Sequence, residues 1–148
     1  MELENLDETA LTELASGLAS RLEPGDAVVL AGEIGTGKTT FVRAAARALG
    51  VSGRVTSPTY QLARSYEGKV DGRRVVVNHL DLYRLEEIAD YDSLDFEEFL
   101  APDEITFVEW AEPALEMIEA PTVISLSHQT PSTRRISISG PLAERMGN

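Results

Sequence analysis

The sequence predicts an α/β fold, and two local patterns support this prediction. The first is a short apolar run, Ala27–Ala31, of the kind that a buried parallel strand requires; a glycine-rich loop and a strongly helix-forming segment follow it. The second is a series of apolar or alternating runs in the rest of the chain, separated by turn signals, which indicates further strands. Together they predict a sheet with helices packed on it.

The first half of the chain contains two predicted helices and one predicted strand. Leucines at helical spacing predict an amphipathic helix over Asp7–Leu22, and Asp7 is suited to be its N-cap. Glu23–Asp26 contains a Pro-Gly pair, which predicts a turn before the strand Ala27–Ala31. The alanine-rich segment Thr40–Leu49 predicts the second helix, and the glycine that follows is suited to end it.

The second half of the chain contains alternating runs and turn signals. Thr59–Glu67 and Arg74–Leu80 are predicted strands that could form a hairpin around an Asp-Gly turn, and Ile105–Val108 is predicted as a buried strand. The remaining predicted elements are helical segments within Leu85–Leu100, a short helix over Ala114–Glu119, and a closing hairpin or pair of edge strands, Thr122–Ser127 and Arg135–Ser139.

The loop before the second helix matches the phosphate-binding loop of the P-loop NTPases. The pattern requires Gly, four free positions, then Gly-Lys and Ser or Thr, and the chain has Gly32, Glu33, Ile34, Gly35, Thr36, Gly37, Lys38 and Thr39. The glycines let successive N–H groups point at one anion, to which the helix N-terminus adds its dipole. Lys38 can reach the β- and γ-phosphates, and the Thr39 hydroxyl can ligate Mg²⁺. A functionless glycine-rich turn is the alternative.

A P-loop site also needs a carboxylate at the end of a neighbouring parallel strand, to hold Mg²⁺ directly or through water. Glu109 follows the apolar run Ile105–Val108, and Asp81 follows a run that ends at Leu80. We assign Glu109 to the metal and Asp81 to the attacking water, so that Lys38, Asp81 and Glu109 are the predicted catalytic residues. For both carboxylates the alternative is a solvated strand end or a helix cap.

Two features beside these carboxylates have competing interpretations. Asn78–Asp81 is similar to the guanine-binding Asn-Lys-x-Asp of GTPases, but His79 replaces the lysine and the chain has no Asp-x-x-Gly segment. We therefore interpret that match as a coincidence. Trp110 is either a partly buried aromatic at the sheet edge, or a wall beside the nucleotide or a contact for a partner protein.

Composition narrows the class of protein. The 148 residues, 43% of them hydrophobic, predict one domain over residues 1–148 with a substantial core. The chain has no cysteine, which excludes disulfides and thiolate metal sites. We expect a cytoplasmic protein without a membrane segment, because the N-terminus lacks the pattern of a signal peptide and no apolar run approaches the ~20 residues that span a bilayer. The net charge of −12 argues against tight direct nucleic-acid binding; it suits a basic protein partner or serves solubility alone.

Four segments occur together in an order that is more specific than the loop alone: Gly32–Thr40, Ser57–Tyr60, His79–Arg84 and Glu109-Trp110. Through them the chain resembles, over nearly its whole length, the TsaE (YjeE) family, small bacterial ATPases of tRNA threonylcarbamoyladenosine biosynthesis. The resemblance implies a P-loop NTPase-like three-layer fold with a mostly parallel central sheet and added antiparallel strands. It also implies ATP and Mg²⁺ as ligands and a complex with TsaB- and TsaD-like proteins, in which TsaD transfers the threonylcarbamoyl group to the adenosine next to the anticodon.

The resemblance implies roles for individual residues. The loop backbone from Gly32 to Thr40 would hold the phosphates, with Thr40 at the α-phosphate. Thr39 and Glu109 would be the Mg²⁺ ligands, and Asp81 would be catalytic or linked to a switch. Further candidates are Thr59 as a sensor of the γ-phosphate, and Thr9 with Arg134 or Arg135 near the adenosine.

Three other classes use the same loop: a small-molecule or nucleotide kinase, a module that binds nucleotide only as a structural ligand, and a GTPase. A modest arginine content and the lack of an evident lid segment argue against a kinase. Arg43 and Arg84 are candidates for an arginine finger, with surface ion pairs as the alternative, so we expect slow hydrolysis alone and faster hydrolysis with partners. Family members often differ at Glu33, Ile34 and Tyr60, and these mild changes do not threaten nucleotide binding.

Overall fold

The described strands of the protein form one seven-stranded sheet. The computed structural model describes residues 1–52, 63–82, 99–110, 115–116 and 118–147. In chain order the elements are β1 (Glu2–Leu6), α1 (Glu8–Ala19), β2 (Ala27–Ala31), α2 (Lys38–Ala48), β3 (Ala63–Val70), β4 (Arg73–Asp81), β5 (Glu104–Glu109), β6 (Thr122–Thr130), β7 (Thr133–Ser139) and α3 (Pro141–Met146).

The centre of the sheet is parallel and its two sides are antiparallel. The strand order is β1-β7-β6-β2-β5-β4-β3. β2 pairs in parallel with β5 and β6, and β4 pairs in parallel with β5. β3 is added antiparallel to β4, while β7 and β1 are added antiparallel on the side of β6. This arrangement confirms the predicted α/β fold with a mostly parallel centre and added antiparallel strands.

Apolar side chains cover both faces of the sheet, which gives three layers. On one face the helices α1 and α2 pack on the sheet through a buried cluster that includes Leu11, Leu18, Phe41, Val28, Phe107 and Ile124. On the other face Val29, Leu80 and Val108 are buried beneath Phe99, Leu100 and Ile118. The central strand β2 is apolar at every position because neither of its faces meets water.

Both predicted helices of the first half are present with shifted ends. Asp7 is the N-cap of α1, since its side chain accepts a hydrogen bond from the Ala10 N–H at 2.8 Å. α1 ends at Ala19 rather than at Leu22, but Leu22 is still buried, so the apolar periodicity continues past the helix. α2 begins at Lys38, ahead of the predicted Thr40, because the phosphate loop leads directly into its first turn.

Two elements were not predicted, and one strand lies elsewhere than expected. β1 was missed because only Leu3 and Leu6 are partly buried, so its residues do not alternate between apolar and polar. α3 is short, at six residues, and its Arg145 is anchored to Asp26 by hydrogen bonds of 2.6 and 2.9 Å. The predicted closing hairpin exists, but its first strand, β6, pairs with the central β2 and is therefore not an edge strand.

Some predictions lie outside the described residues. These are the first residues of the strand predicted from Thr59, most of the helical segments in Leu85–Leu100, and parts of the predicted helix Ala114–Glu119. In the last of these, Leu115 and Glu116 form a 3₁₀ turn, with the Ile118 N–H bonded to the Leu115 carbonyl at 3.2 Å. Within the described part of the chain, no helix is both long and apolar enough to cross a bilayer.

The first glycine of the loop has a stricter steric requirement than the one in its middle. Both have positive φ, of 142° at Gly32 and 82° at Gly35. A β-carbon at Gly32 would lie 2.4 Å from the backbone carbonyl oxygen of Leu126 in β6, whereas one at Gly35 would meet no heavy atom of the described residues within 4 Å.

We therefore predict that Gly32→Ala destabilises the protein more than Gly35→Ala. Gly35→Ala incurs only the left-handed backbone penalty, about 1–2 kcal/mol, while Gly32→Ala must also displace the β6 backbone. Urea unfolding followed by circular dichroism measures both free energies. Equal losses for the two variants would contradict the close approach of the loop to β6.

Candidate nucleotide-binding site

The loop between β2 and α2 is held by its own hydrogen bonds and by an arginine from β7. The Thr36 hydroxyl donates to the Glu33 carbonyl at 2.8 Å. The Arg134 guanidinium donates to the Thr36 and Gly35 carbonyls, each at 3.2 Å. These bonds join the loop to itself and to the neighbouring hairpin, and so they restrain its backbone.

The loop leads directly into α2, and the N-terminus of this helix is suited to bind an anion. Gly37 is the residue before the helix, and no side chain of the described residues caps the helix there. The first N–H groups of a helix have no intrahelical acceptor, and the helix dipole places partial positive charge at this end. The N-terminus of α2 therefore offers the loop's anion site both hydrogen-bond donors and favourable electrostatics.

Lys38 is buried within the loop and lies beneath an aromatic ring. Its Nζ donates to the carbonyls of Gly32 and Glu33, the latter at 3.4 Å, and lies 3.6 Å from the centroid of the Trp110 ring. Trp110 directly follows β5 and has φ of 57°, an uncommon backbone conformation for a bulky residue. Its contact with Lys38 supports the interpretation of Trp110 as a wall of the site.

The two predicted carboxylates lie side by side at the carboxyl edge of the sheet. Asp81 ends β4, Glu109 ends β5, and the two are partners in the parallel register. Glu109 is only 3% exposed, and both of its carboxylate oxygens lie 3.2 Å from the Thr39 hydroxyl oxygen. Hydroxyl and carboxylate oxygens in contact are the hard ligands that Mg²⁺ prefers, so these two residues fit a magnesium ion.

Two cavities open on either side of the loop. The smaller, of about 420 Å³, contains Lys38, Thr39, Asp81, Glu109 and Trp110. The larger, of about 560 Å³, is lined by Thr9, Leu11, Thr36, Ser132 and Arg134 among others. Thr40, Gly35 and Gly37 line both cavities. Together the cavities provide a continuous lining from α1 and β7, across the loop, to the ends of β4 and β5.

The structure brings most of the predicted site residues to the two cavities, and the others are placed differently or lie outside the described residues. Thr9 and Arg134 lie on the larger cavity, whereas the alternative candidate Arg135 points to the surface and pairs with Glu4 at 3.2 Å. Ile34 lies at the exposed tip of the loop and is 70% exposed, although it borders the smaller cavity. Glu33 contributes its carbonyl to Lys38 and does not line either cavity. Thr59 is outside the described residues.

Sequence reasoning gave no role to one buried residue that contacts the site. The Nε2 atom of His79 lies 2.5 Å from Oε2 of Glu109, and His79 is 1% exposed. The only signal in the sequence is the strand period of two, which puts His79 on the same face as Asp81. That period alone does not identify which neighbouring strand supplies its partner.

Comparison with known proteins shows several similar chains. The family model described as threonylcarbamoyl adenosine biosynthesis protein TsaE matches residues 5–136. A protein from Streptomyces coelicolor named tRNA threonylcarbamoyladenosine biosynthesis protein TsaE is 42% identical over 72% of this chain and 70% of its own length. Its namesake from Mycobacterium tuberculosis is 39% identical over 71% of this chain, and the aligned region spans 65% of that relative.

Two further similarities have higher coverage. The protein of the same name from Treponema pallidum is 35% identical over 79% of this chain and 84% of its own length. The crystal structure of Bacillus subtilis YdiB superimposes with a TM-score of 0.80, covering 99% of this chain and 93% of the other, at 23% identity. That structural likeness shows a shared fold. The sequence matches show more: the chain belongs to the TsaE family of threonylcarbamoyl adenosine biosynthesis proteins.

Proposed function

We propose that this chain binds and hydrolyses ATP with Mg²⁺, as the subunit that supports threonylcarbamoyl transfer to the tRNA adenosine next to the anticodon. We place it in a complex with TsaB- and TsaD-like proteins, in which it does not itself modify RNA. The observation that carries the proposal is the contact of Thr39, at the end of the phosphate loop, with the buried Glu109. The name shared by its relatives supplies the biosynthetic context.

The two cavities suggest how ATP lies across the loop. The smaller cavity contains Lys38 and both carboxylates, so we assign it to the β- and γ-phosphates. The larger cavity, with Thr9 and Arg134, has room for the adenosine. Thr40 lines both, which suits the assignment of its hydroxyl to the α-phosphate.

Lys38 must exchange partners when a triphosphate binds. Its ammonium now contacts two loop carbonyls and the Trp110 ring. Phosphate oxygens carry full negative charge and form stronger, charge-assisted hydrogen bonds than neutral carbonyls do. We therefore expect Lys38 to turn from the loop to the phosphates while remaining close to the indole.

The two carboxylates, Glu109 and Asp81, have different proposed roles in hydrolysis. Thr39 and Glu109 would hold Mg²⁺, which supplies neutralisation of the charge that spreads over the phosphoryl oxygens during transfer. Asp81 is the partner of Glu109 in the register and lines the same cavity, where it would orient or deprotonate the attacking water. The loop N–H groups and Lys38 stabilise the same developing charge.

Lys38→Ala and Asp81→Ala are predicted to separate binding from turnover. Loss of the Lys38 ammonium removes a hydrogen bond to a charged group, which is worth about 1.5–3 kcal/mol, or roughly 10- to 100-fold in ATP affinity. Asp81→Ala should keep ATP binding and lower phosphate release about 10²- to 10⁴-fold. Calorimetry measures the affinity, and a phosphate-release assay with the partner proteins measures turnover.

Exposed residues of matching charge provide the controls for these variants. Lys69→Ala and Asp103→Ala make the same charge changes at exposed positions outside both cavities and should leave both quantities unchanged. Retained turnover in Asp81→Ala would contradict its assigned role. Transfer of phosphate to an acceptor other than water would favour a kinase, and displacement of ATP by GTP at equal concentration would favour a GTPase.

Slow hydrolysis by the chain alone is a second prediction. No arginine is among the described residues that line the smaller cavity, and Arg134 on the larger one is bonded to loop carbonyls. An arginine or other cation from a partner would then complete the site, as in enzymes activated in trans. We expect turnover far below the typical enzyme rate of about 10 s⁻¹ until TsaB- and TsaD-like proteins are added. Fast hydrolysis by the isolated chain would contradict this prediction.

The fluorescence of Trp110 can report nucleotide binding, because Trp110 is the only tryptophan of the chain. Its ring lies 3.6 Å from the Lys38 ammonium, so a change of partners at Lys38 alters its surroundings. We predict a saturable change in intrinsic fluorescence when ADP and Mg²⁺ are added, and a much smaller change in Lys38→Ala. An equal change in that variant would show that the indole does not respond through Lys38.

A further inference from the structure

His79 is a buried residue of β4, the strand that ends at Asp81, and it contacts Glu109, the metal ligand proposed on β5. It is 1% exposed, and as the second residue before Asp81 in β4 it faces the same side of the sheet. Its Nε2 atom lies 2.5 Å from Oε2 of Glu109, which is itself 3% exposed. A buried carboxylate needs such partners, because burial without them is costly.

Two described side chains, Thr39 and His79, contact the Glu109 carboxylate, and only Thr39 is also a proposed metal ligand. The Thr39 hydroxyl, with its oxygen 3.2 Å from both carboxylate oxygens, is itself a proposed metal ligand: a lone pair of its oxygen would go to the metal, while its O–H could still donate to Glu109. His79 would not be a ligand and can keep its contact. Of the two, His79 is therefore the partner that contacts the carboxylate without also contacting the metal.

The other side of the imidazole indicates that this contact determines the orientation of the ring. Nδ1 of His79 is buried and has no hydrogen-bond partner among the described residues. Within the same part of the chain, Arg64, directly opposite on β3, also has a buried Nε without a partner, so it does not satisfy Nδ1. A ring placed only for packing would not need a nitrogen at either position. The histidine thus leaves one nitrogen unsatisfied and keeps the other on Glu109.

We propose that His79 is a positioning residue, whose Nε2–H donates to Glu109 and holds its carboxylate in place for Mg²⁺. This inference rests on the proposed function, since it assigns His79 to the same metal site. Partners of this kind, which orient a ligand without touching the metal, commonly account for about 10- to 100-fold in metal affinity.

The test compares two amide substitutions that differ in reach. The longer side chain of His79→Gln can bring an N–H near the position of Nε2, whereas that of His79→Asn is too short to reach Glu109. We expect magnesium affinity, measured by titrating Mg²⁺ into protein with saturating ADP and following Trp110 fluorescence, to fall about 10-fold in His79→Asn. His79→Gln should stay within about 3-fold of the unmodified protein. ADP affinity measured in EDTA should be unchanged in both.

Glu109→Gln provides the second comparison, through a double-mutant cycle. If His79 acts through Glu109, adding His79→Asn to Glu109→Gln should cause little further loss of magnesium affinity. Three results would overturn the inference: magnesium affinity unchanged in His79→Asn, a full loss in a folded His79→Gln, or a loss of ADP affinity in EDTA equal to that with metal. If the unmodified chain binds no ADP even with Mg²⁺, the proposed function itself fails, which is a different outcome.

Discussion

The parallel pairing at the centre of the sheet is the constraint on which the site depends. β2, β5 and β4 lie side by side and run in the same direction, so their carboxyl ends meet at one edge. The register sets Glu109 beside both Leu30 and Asp81, and the loop that leaves β2 brings Thr39 onto Glu109. A shift of one residue in β5 would turn Glu109 to the opposite face, away from α2. The sheet therefore determines the site's geometry, and the loop supplies the contacts.

The loop is organised by hydrogen bonds within itself and with Arg134 of β7. Arg134, Thr36 and Lys38 all donate to loop carbonyls. These bonds satisfy carbonyl groups of the loop. A preorganised loop costs little conformational entropy when a phosphate binds, because the backbone has already been fixed on folding. The left-handed backbone of Trp110 contributes to the same end by directing its ring over Lys38.

Local chemistry was predictable from the sequence, and long-range placement was not. The loop, the N-cap Asp7 and the acid-terminated strands follow from residues close together in the chain, and the structure has all of them. β1 was missed because an edge strand with few buried residues has no alternating pattern. The contact of His79 with Glu109 joins residues 30 positions apart, and only the strand order decides it. The central position of β6 is likewise a property of the sheet's topology.

Under the proposed function, electrostatics would couple the metal to the nucleotide in this site. The chain's net charge of −12 is distributed over the whole molecule and is screened beyond about 8 Å at physiological salt. The balance of charges near the loop is more important. Asp81 and Glu109 line the cavity assigned to the β- and γ-phosphates, and their carboxylates would repel the phosphates. Lys38 and the α2 N-terminus would attract the phosphates. A divalent cation held by Thr39 and Glu109 would convert part of that repulsion into attraction. Under that proposal magnesium and nucleotide would raise each other's affinity by the same factor, because linkage between two ligands is reciprocal.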